Sequence, residues 1–174
     1  FRIDLVAWIH SYEVPVTMKA KGAEIIEVEN FENLRKADEL SYEVLLYEFK
    51  ADLNKYLEEH PGAPVKSMAE IIDFNTKNSD REMPWFGQEI FEMAQAKGDL
   101  TSEEYKKALA DSKRYTGKEG IDAIMDKHQL DALIAPTNGP SWTIDLVNGD
   151  HFGGGSSDAA AISGYPNITV PAGY

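Results

Sequence analysis

A chain of 174 residues, 43% apolar and 27% charged, has an ordinary globular composition and can bury a sizeable core, on the order of 70% of its unfolded surface. Thirty acidic residues against 17 basic ones give a net charge of -13, with no basic cluster. This excludes a nucleic-acid or anionic-membrane partner. Cysteine is absent, which removes disulfides and thiolate chemistry, and no apolar run approaches the roughly 20 residues of a membrane span.

Phe1 to Ile9 is apolar and mixed and takes no assignment. Ser11 to Lys21 reads as a helix stopped by Gly22, and Glu24 to Val28 reads as a strand, an α-to-β connection of α/β layers. Asn30 to His60 reads as one long helix or two abutting ones, with Leu45, Phe49, Leu53, Tyr56 and Leu57 on one face and Pro61-Gly62 as its end. Ser67 is placed to cap a helix over Met68 to Asn75, with Glu70 as its reciprocal partner. Pro84-Trp85-Phe86-Gly87 is a loop whose two aromatics are expected to dock onto the core, with a pocket lining as the sharper alternative. Gln88 to Lys97 reads as a short helix ended by Gly98. Thr101 to Glu104 form a capping box, with Leu100 stapled onto Tyr105, and the helix they open is expected to weaken or break at Gly117 and Gly120. Ile121, Ile124, Met125 and His128 continue a helical face. His128 suits the negative end of the helix dipole.

The closing stretch organises the rest. Asp131 to Ala135 reads as a strand, followed by a Pro-Thr-Asn-Gly-Pro loop and the run Gly153-Gly154-Gly155-Ser156-Ser157. A small-residue helix over Asp158 to Ser163 comes next, and then a second apolar strand over Ile168 to Val170. Three strands are few for so much helix, so partner strands are expected outside the sequence. Phe1 is not a methionine and Tyr174 directly follows an apolar strand, so a fragment is expected.

Chemistry is sparse. The histidines at 10, 60, 128 and 151 have no metal-ligand spacing, so no metal is expected. The glycine run lacks the Gly-Lys-Ser/Thr ending of a phosphate loop. Ser156 and Ser157 stand before a helix whose N–H groups could stabilise an oxyanion, with His151, Lys66 or Lys77 as candidate bases. The plainer reading is a glycine turn in which Ser156 or Ser157 caps the helix.

Several runs resemble the amidase signature family. They are Tyr47 to Leu57, Ile71-Ile72-Asp73-Phe74-Asn75, Phe86-Gly87-Gln88, Gly120-Ile121-Asp122, Leu130 to Thr137, and Ile162 to Gly173 with its late small-Gly-x-Pro and Val-Pro-x-Gly pattern. The match covers nearly everything from Gly22 onward. The resemblance implies hydrolysis of carboxylic amides by a serine, a second serine preceded by a cis peptide bond, and a lysine. The lysine polarises the bridging serine and so activates the nucleophile. An acyl-enzyme forms, ammonia or an amine leaves, and water completes the turnover. The family's Gly-Gly-Ser-Ser-Gly-Gly-Ser signature lies N-terminal to the matched part and is absent here, since Asp158-Ala159-Ala160 follows Gly153 to Ser157 where Gly-Gly-Ser is required. No catalytic residue is therefore carried over. Substrate-cleft lining falls to Thr137, Asn138, Gly139, Gly154 and Gly155. Related glutamine-using amidotransferase subunits, among them that of glutamyl-tRNA amidotransferase, tend to hold an acidic residue where Gly154 aligns, with Asp158 out of register. This favours a stand-alone amidase.

The expected architecture is α/β, a mixed sheet flanked by helices. The chain is expected to be a single partial domain over residues 1–174, lacking the catalytic signature and the extreme C-terminus. The implied function is an amidase fragment, inactive alone, with no cofactor. Its partners are a small-molecule amide and the remainder of its own polypeptide, with self-association of the fragment through exposed apolar surface. A cytoplasmic location is the accompanying expectation. The alternatives are a non-catalytic binding module, a fragment of a glutamine-using amidotransferase subunit, and a Ser156-based hydrolase.

Overall fold

The computed structural model describes residues 2–6, 13–28 and 32–171. Strand β1 (Arg2–Val6) leads through α1 (Glu13–Ala20) to β2 (Glu24–Val28). Gly22 makes the turn between α1 and β2 at φ +94°, a conformation that suits a residue without a Cβ. Then come α2 (Glu32–Glu59), α3 (Met68–Lys77), α4 (Ser79–Glu82), α5 (Glu89–Gln95) and α6 (Glu103–Thr116). A π-helical turn (Gly117–Asp122) joins α6 to α7 (Ala123–His128), and β3 (Ala132–Ile134) and α8 (Asp158–Ser163) complete the described elements. The three strands form a parallel sheet in the order β2-β1-β3, with Ile3 opposite both Ile25 and Ala132. Strand β1 is thus the centre of the sheet, in a stretch whose residue pattern carries no assignment. The expected helix start at Ser11, the long helix's Asn30 and Phe31, His10, and the tail from Ala172 lie outside the described residues.

The chain divides into two compact units, Glu39–Ala110 and the remainder. In the first, α2 is a single helix carrying two apolar stripes. Leu46 packs with Met68 and Ala94, joined by Phe49, Leu53, Ile72 and Phe91. Val44 and Tyr47 pack with Tyr105 and Ala108. Leu45 and Tyr56, expected on the inner face, are 48% and 56% exposed. Phe49, Leu53 and Leu57 of that face are packed or buried as expected, and Val44, Leu46 and Tyr47 widen the buried surface because α3 and α5 flank the helix on one side and α6 on another. A reciprocal clasp crosses α2 and α6. The Tyr47 hydroxyl donates to Glu104 at 2.9 Å and the Tyr105 hydroxyl to Glu48 at 2.8 Å. Ser67 caps α3 as expected, accepting from the Glu70 amide at 3.2 Å, while the Glu70 carboxylate takes the Lys66 amide instead of completing the box on Ser67.

Two local expectations fail here for identifiable reasons. The Asp99 carboxylate captures both the amide and the hydroxyl of Thr101, so Ser102 becomes the cap of α6 and accepts the Tyr105 amide at 3.3 Å. Trp85 and Phe86 are 69% and 73% exposed rather than docked. Their neighbour Gln88 takes the interior position instead. Its Nε2 donates to Thr76 at 3.1 Å and its Oε1 accepts from Asn75 at 3.2 Å, tying α5 to α3.

In the second unit the core lies between β2, α7 and β3, where Val28, Ile124 and Leu130 are buried among Ile26, Met125 and Leu133. Gly117 and Gly120 do not break the helix. They widen it into the π-helical turn. A Cβ at Gly120 would collide with the Tyr115 carbonyl and lie 2.6 Å from the Leu34 side chain, so only glycine fits. Asn33 Nδ2 donates to the Glu119 carbonyl at 2.9 Å and so satisfies a carbonyl of that turn. The second apolar strand is not formed. Ile168 and Val170 are 86% and 66% exposed and belong to no strand among the described residues.

Candidate functional site

Strand β3 ends at Ile134, and the loop from Pro136 to Pro140 leaves its carboxyl end. In an open parallel sheet this is the edge at which ligands are met. The loop is pinned to the glycine run by backbone alone. Asn138 and Gly155 form an antiparallel bridge, the Gly139 amide donates to the Gly154 carbonyl at 3.3 Å, and the Ser156 amide donates to the Thr137 carbonyl at 3.3 Å. A Cβ on Gly139 would sit 3.3 Å from the Gly153 Cα, a tight approach that glycine at position 139 relieves. Gly154 itself holds φ +91°. All five residues expected to line a cleft, Thr137, Asn138, Gly139, Gly154 and Gly155, are therefore gathered into one strip.

The strip closes the neck of an excursion through residues 140–152. At its tip Asp145 accepts the Val147 and Asn148 amides, both at 2.9 Å, and the Asn148 side chain at 2.8 Å. These hydrogen bonds, the Asn148 amide's first, hold its carboxyl below the usual carboxylate range. Trp142 Nε1 reaches Asp150 at 3.4 Å, and its ring meets Phe152 edge-on at a centroid distance of 6.1 Å. On the other side, the Thr137 and Thr169 hydroxyls lie 3.2 Å apart and link the strip to the segment after α8.

Ser157 occupies the N-cap position of α8 but adopts helical backbone angles, φ -85° and ψ -18°, and its side chain accepts no cap hydrogen bond. The expected capping role is thus not filled; an N-cap hydroxyl reaches the N2 or N3 amide from extended backbone, which Ser67 has and Ser157 lacks. Among the described residues no hydrogen bond joins the Ser156 or Ser157 hydroxyl to His151. Lys66 donates to the Pro61 and Ala63 carbonyls, both at 2.6 Å, which accounts for its ammonium within its own loop.

No motif points to a further depression of about 710 Å³ in unit Glu39–Ala110, lined by Asn54, Leu57, Lys66, Ser67 and Gln95. Its polar groups already serve the fold, as Asn54 Oδ1 accepts the Met68 amide at 2.8 Å. Among the described residues no three His, Asp or Glu side chains converge to hold a metal, and no helix is long and apolar enough to cross a membrane.

The family model named Amidase matches residues 11–174. The Arabidopsis thaliana protein named "Probable amidase" is 32% identical over 163 residues, which are 91% of this chain and 28% of that protein. The native peptide amidase of Stenotrophomonas maltophilia superposes with a TM-score of 0.85 at 39% identity, over 99% of this chain and 36% of the other. A peptide amidase in complex with the competitive inhibitor chymostatin superposes with a TM-score of 0.89 at 40% identity, over 99% of this chain and 37% of that one. The chain thus spans between about a quarter and two fifths of the length of these relatives, and its helix-rich α/β architecture is part of their fold. From the Thr137 strip to the helices of the other unit, this chain belongs to the amidase family.

Proposed function

We propose that this chain is the late part of an amide hydrolase and forms one wall of its substrate cleft. The nucleophilic serine, the second serine and the lysine lie in polypeptide outside it. The observation that carries this reading is the strip itself. Two segments separated in sequence are brought together at the carboxyl end of a parallel strand by backbone hydrogen bonds between Thr137, Gly139, Gly154 and Ser156. Glycine leaves that surface low enough for another backbone, or an extended amide substrate, to approach.

In the reaction, the serine oxygen bonds to the amide carbon as the C–N bond breaks, and the departing nitrogen takes a proton. Water then cleaves the ester. The part assigned to this chain is to orient the substrate and exclude water, which lowers the barrier through positioning. Similarity to peptide amidases makes a C-terminally amidated peptide the first substrate to try.

The test uses the longer polypeptide that contains this chain. It should release ammonia from an amidated peptide, and Gly155→Val should raise KM about tenfold or more by filling the strip. This chain by itself should show no turnover. Failure of the longer polypeptide to hydrolyse any simple or peptide amide would sink the reading, and an unchanged KM in Gly155→Val would remove the strip from the cleft.

A further inference from the structure

Helix α8 (Asp158–Ser163) has six residues and buries none of them. A helix this short is unstable by itself, and no apolar contact of a fully buried side chain holds it. Two other features do. Gly164 ends it in the left-handed conformation at φ +80°, and the Gly164 and Tyr165 amides both return to the Ala160 carbonyl, at 2.9 and 3.0 Å. That cap aims Tyr165 at the π-helical turn, where its hydroxyl donates to Asp122 Oδ1 at 2.7 Å. At the other end of the turn, Gly117 lies within ordinary contact range of α8. A Cβ there would lie 3.7 Å from the Ser163 Cβ and 3.9 Å from the Tyr165 hydroxyl. The turn is in its own right anchored by Asn33 on the Glu119 carbonyl and by the close fit of Gly120 against Leu34. A short relay therefore runs from the turn through Tyr165 and α8 to Gly154 and Gly155.

We propose that Tyr165 and Asp122 are positioning residues of the substrate wall, their hydrogen bond fixing α8 on the π-helical turn and thereby the glycine strip against Thr137–Gly139. This rests on the reading of the strip as a cleft wall. It also explains why the helix is widened at this point. A regular α-helical turn would place Asp122 at a different angle about the axis, away from Tyr165.

The longer polypeptide is compared in four forms: wild type, Tyr165→Phe, Asp122→Ala and Asp122→Asn. Tyr165→Phe keeps the ring and loses only the donor, whereas Asp122→Asn keeps a carbonyl acceptor. Two readouts are taken, backbone amide exchange at residues 137–139 and 153–157, and the separate KM and kcat for an amidated peptide. Tyr165→Phe and Asp122→Ala should speed exchange in both segments about fivefold and raise KM by a similar factor, with kcat within about threefold. Asp122→Asn should stay within about twofold of wild type in both readouts. Unchanged exchange in Tyr165→Phe overturns the latch. Faster exchange with an unchanged KM overturns its role in the substrate wall. A wild-type polypeptide without amide turnover overturns the amidase reading and the substrate half of this inference with it, while the exchange arm still decides whether the latch holds the strip.

Discussion

The helical unit Glu39–Ala110 and the stretch from Pro136 to Pro171 use their apolar residues in opposite ways. In the helical unit, Leu46, Met68 and Ala94 are 3%, 0% and 0% exposed, and Tyr47 and Tyr105 are both packed inside and hydrogen-bonded. From Pro136 to Pro171 no described residue is buried, and Ile144, Val147 and Ile168 stand more than four-fifths exposed. One region is held by side chains that meet each other. The other is held by backbone hydrogen bonds, glycine contacts and an Asx-type tip, and offers its side chains outward. Large exposed apolar surfaces of that kind mark sites of contact. We infer that the remainder of the polypeptide covers it and completes the cleft.

That contrast can be broken at its strongest point first. Met68→Ala, at a fully buried position, should destabilise the chain by about 2–5 kcal/mol in denaturant titration. Val147→Ser or Ile168→Ser should change stability by less than about 0.5 kcal/mol and reduce dye binding and self-association. A loss of several kcal/mol in Ile168→Ser would show that the outer stretch is packed after all. Gly120→Ala should come next, at about 1–3 kcal/mol, because its Cβ meets the Tyr115 carbonyl and the Leu34 side chain. The α2–α6 clasp should give less. Tyr105→Phe removes the donor to Glu48 and should lower stability by about 1 kcal/mol.

The smallest effects are in the pH profile. The hydrogen bond to Glu48, with burial, raises the Tyr105 phenol, and the bond to Asp122 raises that of Tyr165. A raised folded pKa means that the contribution is fully present below the unfolded phenol's value and is lost as pH rises past the folded one, so it should fade only above about pH 10. Asp99, lowered mainly by the Thr101 hydroxyl, and Asp145, lowered mainly by the Asn148 amide, have the opposite sign. Their contributions are present above the unfolded carboxyl's value and should be lost as pH falls below about 4. An alkaline limb that survives unchanged in Tyr105→Phe would show that this phenol contributes nothing to it.

Much of the fold is legible in the sequence because its signals are local. Gly22 announces the turn into β2, the Ser67 cap appears where Ser and Glu stand three apart, and the small-residue run gives α8 its bounds. The misses are cases where partners decide. Leu45 and Leu46 have the same chemistry, and only the positions of α3, α5 and α6 select Leu46 for burial. Ile168 to Val170 has strand composition, but a strand also needs a partner, and no described strand pairs with it. Gly120 looks like a breaker because propensity cannot see the Leu34 side chain and the Tyr115 carbonyl that press against it. For the site, the gathering of Thr137–Gly139 with Gly154 and Gly155 follows from the family resemblance. Register between distant segments leaves no periodic trace in one sequence, and the Asp122–Tyr165 bond, 43 residues apart, leaves none either.

The proposed function assigns the chemistry to serines outside this chain and the cleft wall to this chain. The most direct measurement is kcat for an amidated peptide in the longer polypeptide carrying Ser156→Ala and Ser157→Ala together. The predicted result is a kcat within a few-fold of wild type, whereas a loss on the order of a thousandfold or more, as expected for removal of a nucleophile, would contradict it.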